Sequence, residues 1–276
     1  MVSILSTLYL AITLLFFSSM EIVSKPLMGQ IDPFFMTAFR FFIGGLFLMP
    51  LIEKKLPPRE IILLTMIGSL NTIVSMTFLQ LSVKFGNAST AATLIATNPL
   101  FVTIFAPFFG SEKPSKRKFI GTFLGFVGIL IFISGMLEGD TITGFLFGIG
   151  SAISFALYTL LLKPHVLKHG ALTATAYSSF FSGVVYSATL MLFGQFKITS
   201  LNLSSWLILL HLGIGVTGIA YFTFFAAAKR IGASTASRVF YLKPVVATLL
   251  AFIFLSEEIG AFKLIGIVVI ILSLMI

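Results

Sequence analysis

The chain is dominated by apolar runs of about 20 residues, which are separated by short polar breaks. A helix of that length matches the hydrocarbon thickness of a bilayer. The breaks contain charged and turn-forming residues, as in Gln30-Ile31-Asp32-Pro33 and Lys54-Lys55-Leu56-Pro57-Pro58. The pattern predicts an all-α membrane protein with ten transmembrane helices, at about 3–24, 33–52, 60–83, 88–110, 117–136, 142–163, 171–193, 204–228, 233–255 and 262–276.

Composition excludes most other classes of protein. Of the 276 residues, 58% are hydrophobic and only 10% are charged, whereas about 25% are charged in an ordinary soluble domain. There are too few polar residues to cover a soluble protein of this size, and too many apolar residues for a disordered chain. The sequence has no cysteine and no recognisable catalytic constellation. We therefore expect neither an enzyme nor a protein that requires a cofactor.

The basic charge is distributed by loop, which predicts an orientation. The net charge is +9, but the basic residues are too scattered for a nucleic-acid groove. Loops after the second, fourth, sixth and eighth predicted helices carry eleven Lys and Arg, and the opposite loops carry four. The positive-inside rule then places both termini in the cytoplasm, and we expect the plasma (inner) membrane of a prokaryote. We interpret the first helix as retained rather than as a cleaved signal peptide.

The two halves of the chain repeat each other. At an offset of 138, Phe17 and Gly45 match Phe155 and Gly183; at an offset of 145, Ala88-Ser89-Thr90-Ala91 matches Ala233-Ser234-Thr235-Ala236. The predicted units are residues 1–138 and 139–276, each with five helices. Because five is odd, the second half enters the membrane in the opposite sense. Such inverted repeats are common in secondary transporters, whose sites lie between the halves.

Four ionisable residues fall within predicted helices: Glu21, Arg40, Arg238 and Lys243. A charge near the bilayer centre costs at least about 2.5–3.5 kcal/mol, so such residues point to a function or a specific partner. We expect Glu21 to pair with Arg40 or to carry a proton-coupled step, and Arg238 to reach the interface. Lys243 then lacks a partner, which an anionic group of a substrate would supply.

Two matched prolines indicate where the site lies. Pro99 and Pro244 each remove a helical hydrogen bond and free a carbonyl group, at Ile95 and Phe240. Such backbone is tolerated where it lines a cavity. The residues before them, Asn98 and Lys243, are polar. Further candidate substrate ligands, each of which could equally make an ordinary interhelical contact, are Asn71, Gln80, Tyr158, Thr217, Tyr221 and Tyr241.

A pair of histidines offers a second type of chemistry. His165 and His169 are four residues apart and share a helix face if the helix continues. No carboxylate or third ligand is near them in the sequence, so we expect a solvated pair and no metal site.

Two segments, 88–121 and 232–266, resemble those of the drug/metabolite transporter superfamily, of the ten-helix EamA type. The resemblance rests on 88–121, which contains Asn98-Pro99 and Gly110-Ser111-Glu112, and on 232–266, which contains Lys243-Pro244 and Leu255-Ser256-Glu257. It implies two inverted five-helix bundles around a central cavity and alternating access. Members of the superfamily move amino acids, nucleotide sugars, organic phosphates, vitamins and drugs. We expect Glu112 and Glu257 to cap or anchor helix ends rather than to bind substrate.

These features favour a secondary transporter of a small polar metabolite such as an amino acid or organic anion, and we expect it to be an exporter. Two alternatives stay open: an exchanger of phosphorylated or nucleotide-linked compounds, and a structural or lipid-handling membrane protein. The expected partners are a small-molecule substrate with an anionic group and membrane lipid, in a monomer or homodimer. Nucleic acid is not expected as a partner.

Overall fold

The computed structural model describes residues 4–24, 27, 30–52, 54–86, 88–110, 112–134, 141–195, 201–255 and 260–276. Within these ranges it does not describe the side chains at 21, 22, 88, 89, 247 and 250–255. The described chain is helical and contains no strand.

The helix predicted at 142–163 continues to His169, and those predicted at 88–110 and 233–255 are interrupted, but otherwise the helices follow the apolar runs of the sequence. They are α1 (Ile4–Ser24), α2 (Pro33–Leu48), α3 (Pro58–Ser69), α4 (Met76–Lys84), α5 (Ala88–Ile95), α6 (Asn98–Phe105), α7 (Lys116–Ser134), α8 (Ile142–His169), α9 (Ala171–Leu192), α10 (Leu203–Leu210), α11 (Ala220–Ile231), α12 (Ala233–Ser237), α13 (Leu242–Leu255) and α14 (Ala261–Met275).

Local chemistry explains several helix boundaries. Asp32 caps α2, because its Oδ1 accepts hydrogen bonds from the backbone N–H groups of Phe34 and Phe35 at 2.9 and 3.0 Å. Thr141 caps α8 in the same way through the N–H of Gly144, at 3.0 Å. The chain between α11 and α12 turns at Gly232, where φ is +90°. A residue with a Cβ rarely adopts that angle, so glycine is required there.

Two long helical stretches change their hydrogen-bonding pattern partway along. Segments Leu70–Ser75, between α3 and α4, and His211–Ile219, between α10 and α11, are π-helical. In the second segment the Thr217 hydroxyl donates to the carbonyl of Leu212 at 3.0 Å. The two segments overlap when the halves are aligned at the offset of 145, so both repeats widen at the same position. Such π segments are frequent at functional sites.

Two other stretches are interrupted before a proline. Helix α5 ends at Ile95 and α6 begins at Asn98, with Pro99 in its first turn. In the second half, a 3-10 segment (Arg238–Tyr241) precedes α13, whose third residue is Pro244. Because proline has no N–H and clashes with the preceding turn, each helix restarts where its proline is acceptable.

The two halves pack against each other through glycines at equivalent positions. A Cβ on Gly45 of α2 would lie 2.2 Å from the backbone nitrogen of Phe180 in α9. A Cβ on Gly183 of α9 would lie 2.4 Å from the backbone nitrogen of Phe42 in α2. Both pairs are related by the offset of 138, so each half makes the same contact to the other. Reciprocal contacts of this kind are those of an interface with two-fold symmetry.

The surface of the helical bundle suits a lipid environment. Five helical stretches of the described chain are long and apolar enough to cross a membrane: Pro33–Leu51, Pro58–Lys84, Lys116–Ser134, Ile142–His169 and Leu203–Ile231. Apolar side chains such as Leu15, Met66 and Leu146 are more than 60% exposed on their outer faces. In water this arrangement would be unfavourable, and in hydrocarbon it is not.

The glycine contact between α2 and α9 gives a stability prediction. Gly45→Ala places a methyl group against backbone that cannot move without separating the two helices. We expect the melting temperature of the detergent-solubilised protein to fall by roughly 5 °C, although alanine is the better helix former. Gly260→Ala is the matched control, since a Cβ there meets nothing within 4 Å. Equal melting temperatures for the two variants would show that the helices do not approach this closely.

Candidate functional site

A cavity lies where helices of the two halves meet. Its walls are formed by two sets of elements. The first half contributes α1, α2, α4 and α5, and the second half contributes α8, α11, the 3-10 segment and the start of α13. The lining is mainly aromatic and aliphatic, with two thioethers and two cations: Phe17, Met20, Arg40, Met76, Leu79, Ile95, Ala96, Phe155, Tyr221, Phe240 and Lys243. The space open to water-sized molecules is about 40 Å³. This volume suits a few waters and is well below the roughly 300 Å³ of a small ligand pocket.

Equivalent residues of the two halves line this cavity in pairs. Phe17 and Phe155 are related by the offset of 138; Met76 and Tyr221, like Ile95 and Phe240, are related by the offset of 145. Rings of the two halves also touch, since the centroids of Phe17 and Phe240 are 5.5 Å apart. Equivalent positions of the two halves therefore contribute to the same cavity.

The guanidinium group of Arg40 contacts two sulfur atoms and an aromatic ring. Its Nη1 and Nη2 atoms donate to the sulfur atoms of Met20 and Met76, at 2.9 and 3.0 Å. Its guanidinium carbon is also 5.1 Å from the centroid of the Phe41 ring. Thioether sulfur is a weak acceptor, so these contacts position the guanidinium group without neutralising its charge.

Lys243 lies in the first turn of α13, and its side chain is buried against the same cavity. Both Lys243 and Arg40 make a further polar or electrostatic interaction within the protein. The expectation that Lys243 lacks a partner is therefore wrong. What the structure does show is that both cations border one cavity.

A polar pair extends from the cavity into the first π-helical segment. Tyr221 lines the cavity, and its hydroxyl accepts a hydrogen bond from Asn71 Nδ2 at 3.1 Å. Asn71 is fully buried, and its Oδ1 has no hydrogen-bond partner among the described residues. Tyr158 packs edge-on against Tyr221, with centroids 6.2 Å apart, behind the cavity wall.

The other predicted ligands do not line the cavity. Asn98 is fully buried, and its Nδ2 is 3.5 Å from the carbonyl of Ala152. Tyr241 donates to the carbonyl of Thr122 at 2.7 Å, in a separate packing cluster. Thr217 bonds within its own π segment, and Gln80 is half-buried on α4. The side chain of Glu21 lies outside the described residues.

Sequence reasoning missed the apolar part of the lining. Met20, Met76 and Leu79 carry no distinctive signal in a chain this hydrophobic. The match of Phe17 with Phe155 could have identified two of the aromatic residues, because a site on the axis between repeats is lined by equivalent residues.

Glu112 links three elements at one end of the bundle, which the loop charges predict to be cytoplasmic. Its Oε1 accepts from the backbone N–H of Ser234 at 3.0 Å, in the first turn of α12. The same oxygen is 3.2 Å from Lys163 Nζ of α8, and Oε2 is 2.8 Å from Lys118 Nζ of α7. The prediction that Glu112 caps a helix end is confirmed, and the helix belongs to the other half of the chain. Glu257 lies outside the described residues.

The environment of Glu112 shifts its titration. Burial acts to raise the pKa of the carboxyl group, but hydrogen bonds from Lys118 and Ser234 and the charges of Lys163 and Lys118 act against it. The net effect places the pKa of Glu112 below its ordinary value, so the carboxylate is ionised at neutral pH.

The histidine pair has a carboxylate neighbour, contrary to the sequence expectation. Glu60, in the first turn of α3, lies within 4.8 Å of both His165 and His169. The tertiary fold brings residue 60 to the end of α8, a proximity that sequence spacing cannot reveal.

Comparison with known proteins identifies a family for both halves. The pattern of the EamA-like transporter family matches residues 4–134 and again residues 142–276. A solved crystal structure has the same fold, with a TM-score of 0.82 and 19% sequence identity, over 99% of this chain and 98% of the other.

Related sequences come from several prokaryotes. An uncharacterized transporter of Clostridium kluyveri is 31% identical over 96% of this chain and 90% of its own length. An uncharacterized transporter of Archaeoglobus fulgidus is 28% identical, over 94% and 92%. The S-adenosylmethionine uptake transporter of Rickettsia felis is 25% identical, over 87% and 81%.

The Glu112 contacts predict an acid-sensitive stability. A carboxyl group whose pKa is lowered on folding stabilises the protein above its unfolded pKa, near 4.5, and loses that contribution as the pH falls through the folded value. We expect Glu112→Gln to lower the melting temperature at pH 7 and to lose less stability than the native chain between pH 5 and pH 3. Thermal unfolding at both pH values measures this. Ser234→Ala is the control, because the contact uses the backbone N–H of that residue; an equal loss in both variants would contradict the assignment.

Proposed function

This chain belongs to the EamA-like transporter family, and we propose that it is a secondary active transporter of small polar metabolites. In this proposal ten transmembrane helices form two inverted five-helix repeats, residues 1–138 and 139–276, which provide alternating access to the central cavity. The chain is an integral membrane protein, and we propose the plasma membrane of a prokaryote with both termini in the cytoplasm, as the loop charges favour.

Reciprocal packing supports the inverted-repeat arrangement. The contacts of Gly45 with Phe180 and of Gly183 with Phe42 exchange equivalent positions of α2 and α9. Helices α7 and α14, the last of each proposed repeat, also pack together through Gly128 and Gly266. Secondary transporters with such symmetry bind substrate between their repeats, which is where the cavity with paired lining residues lies.

The Glu112 network supports a conformation closed at the proposed cytoplasmic end. Glu112 belongs to the first half, while Lys163 and the backbone of Ser234 belong to the second. Val166 and Ala233, near these contacts in the sequence, are fully buried. With the small central cavity, this packing favours an occluded state, which must open for a metabolite to enter.

Each residue of the Glu112 network that bridges the two halves has a counterpart at the equivalent position of the sequence. Lys25, Ser89 and Glu257 match Lys163, Ser234 and Glu112 at the offsets of 138 and 145. Lys25, Glu257 and the side chain of Ser89 lie outside the described residues.

The chemistry of the cavity favours an anionic substrate with an apolar or aromatic portion. Arg40 and Lys243 supply positive charge beside the cavity, and both side chains form charge-assisted hydrogen bonds with carboxylate or phosphate groups. Phe17, Phe155 and Phe240 offer ring surfaces for the apolar portion. Amino acids, organic acids and phosphate esters all fit this description.

The proposal also covers the direction of transport and the energy source that drives it. We propose export, driven by the proton gradient or by exchange, with Glu21 as the candidate for a proton-linked step. The Rickettsia relatives carry the name of uptake transporters, so net uptake is the alternative outcome, and efflux from preloaded proteoliposomes of known orientation distinguishes the two.

A substrate screen with matched variants tests this function. Amino acids, dicarboxylates, phosphate monoesters and S-adenosylmethionine are compared by thermal shift on the purified protein, and any hit is then followed by transport in proteoliposomes. We expect an anionic hit whose affinity falls at least about tenfold in Lys243→Met and in Arg40→Met, because each removes one charge that faces the anion. Lys113→Met, which alters an exposed lysine outside the Glu112 contacts, is the control.

Two results would overturn the assignment. Unchanged affinity in both cavity variants would place the site elsewhere. Stabilisation by lipids alone, without transport of any solute, would favour a structural or lipid-handling protein.

A further inference from the structure

Three metal-ligating side chains converge away from the central cavity. His165 and His169 occupy the last turns of α8, four residues apart and hence on one face, and Glu60 approaches from the first turn of α3. His165 Nδ1 and His169 Nε2 are 3.2 and 3.4 Å from the same oxygen, Oε2 of Glu60. All three atoms lie within 4.8 Å of one another.

These three atoms, Glu60 Oε2, His165 Nδ1 and His169 Nε2, are also among the buried polar atoms that lack a hydrogen-bond partner in the described structure. A buried polar atom without a partner is unfavourable. Three such atoms within 4.8 Å of one another could all be satisfied by one bound cation.

We propose that Glu60, His165 and His169 bind a divalent transition-metal ion, with Zn²⁺ the best fit. Two imidazoles and one carboxylate form a known zinc ligand set, with ligand atoms about 2.0–2.2 Å from the ion. Tetrahedral geometry at those distances separates neighbouring ligands by about 3.3–3.6 Å. The separations between Glu60 and the two histidines, 3.2 and 3.4 Å, are close to this spacing.

The neighbouring charges favour a metal of this class over Ca²⁺ or Mg²⁺. Lys168 binds the other carboxylate oxygen of Glu60, which orients the carboxylate and leaves Oε2 directed toward the histidines. A pocket that His169 lines is also lined by Lys54, Lys168 and Lys229. In this basic surrounding, ions held mainly by charge are disfavoured, whereas imidazole coordination of Zn²⁺ persists.

A bound ion would connect the two halves of the chain. Glu60 belongs to the first half and the two histidines to the second, so coordination ties the start of α3 to the end of α8. We expect the ion to stabilise this arrangement, an effect that does not depend on any transported solute. Binding of the ion can therefore be tested independently of the proposed transport function.

Thermal shift and calorimetry on metal-stripped protein with a histidine-free purification tag test the site. We expect ZnCl₂ to raise the melting temperature by several degrees with about one ion bound per chain, and MgCl₂ to have no effect. His165→Gln, His169→Gln and Glu60→Gln should each weaken zinc binding at least tenfold. His211→Gln is the matched control, since that histidine lies elsewhere, 2.9 Å from Ser19, and it should retain the zinc response.

A measurement on the native chain keeps the proposal falsifiable if a variant fails to fold. Co²⁺ in place of Zn²⁺ should give the visible absorption of a tetrahedral site, and adding Zn²⁺ should abolish it. No Co²⁺ band, no zinc-induced stabilisation, or a zinc response retained in the His165→Gln/His169→Gln double variant would overturn the proposal.

Discussion

The structure depends on the close approach of α2 to two helices of the other half. Gly44 lies against the backbone of Gly213 and Gly218, and Gly45 lies against the backbone of Phe180. In a bilayer, helices gain no hydrophobic driving force by association, so small residues that allow backbone contact supply much of the packing. This contact fixes α2 at the centre of the molecule, and Arg40, about one turn before Gly44, therefore lies at the central cavity.

The same arrangement shows what a sequence of this kind reveals and what it hides. Apolar length predicted most helices to within a few residues, because a bilayer imposes one dimension on a spanning helix, but it placed the end of α8 at 163 instead of at His169. It did not predict the π-helical segments, since they arise from local rearrangements such as the Thr217 contact with Leu212. Nor did it separate Tyr241, which packs against Gly125, from Tyr221, which lines the cavity; the face a side chain occupies depends on helix rotation.

Two charged side chains, Glu112 and Arg40, have different kinds of partner. Glu112 is satisfied by two lysines and a backbone N–H. Arg40 instead donates to thioether sulfur and lies over an aromatic ring. The first arrangement gives a stable contact. The second places a guanidinium group against sulfur and aromatic atoms beside the central cavity, and Arg40 also makes a further interaction within the protein.

Glu112 and Glu60 both contact the C-terminal turns of α8, so this helix would be affected by any separation of the two halves. Glu112 contacts Lys163, and Glu60 contacts His165 and His169. In each case an acid of the first half meets the C-terminal turns of one helix of the second half. Any motion that separates the halves at this end must therefore break both sets of contacts. An ion that strengthens the Glu60 cluster would oppose such opening without touching the cavity, because the two sites share a helix rather than a ligand.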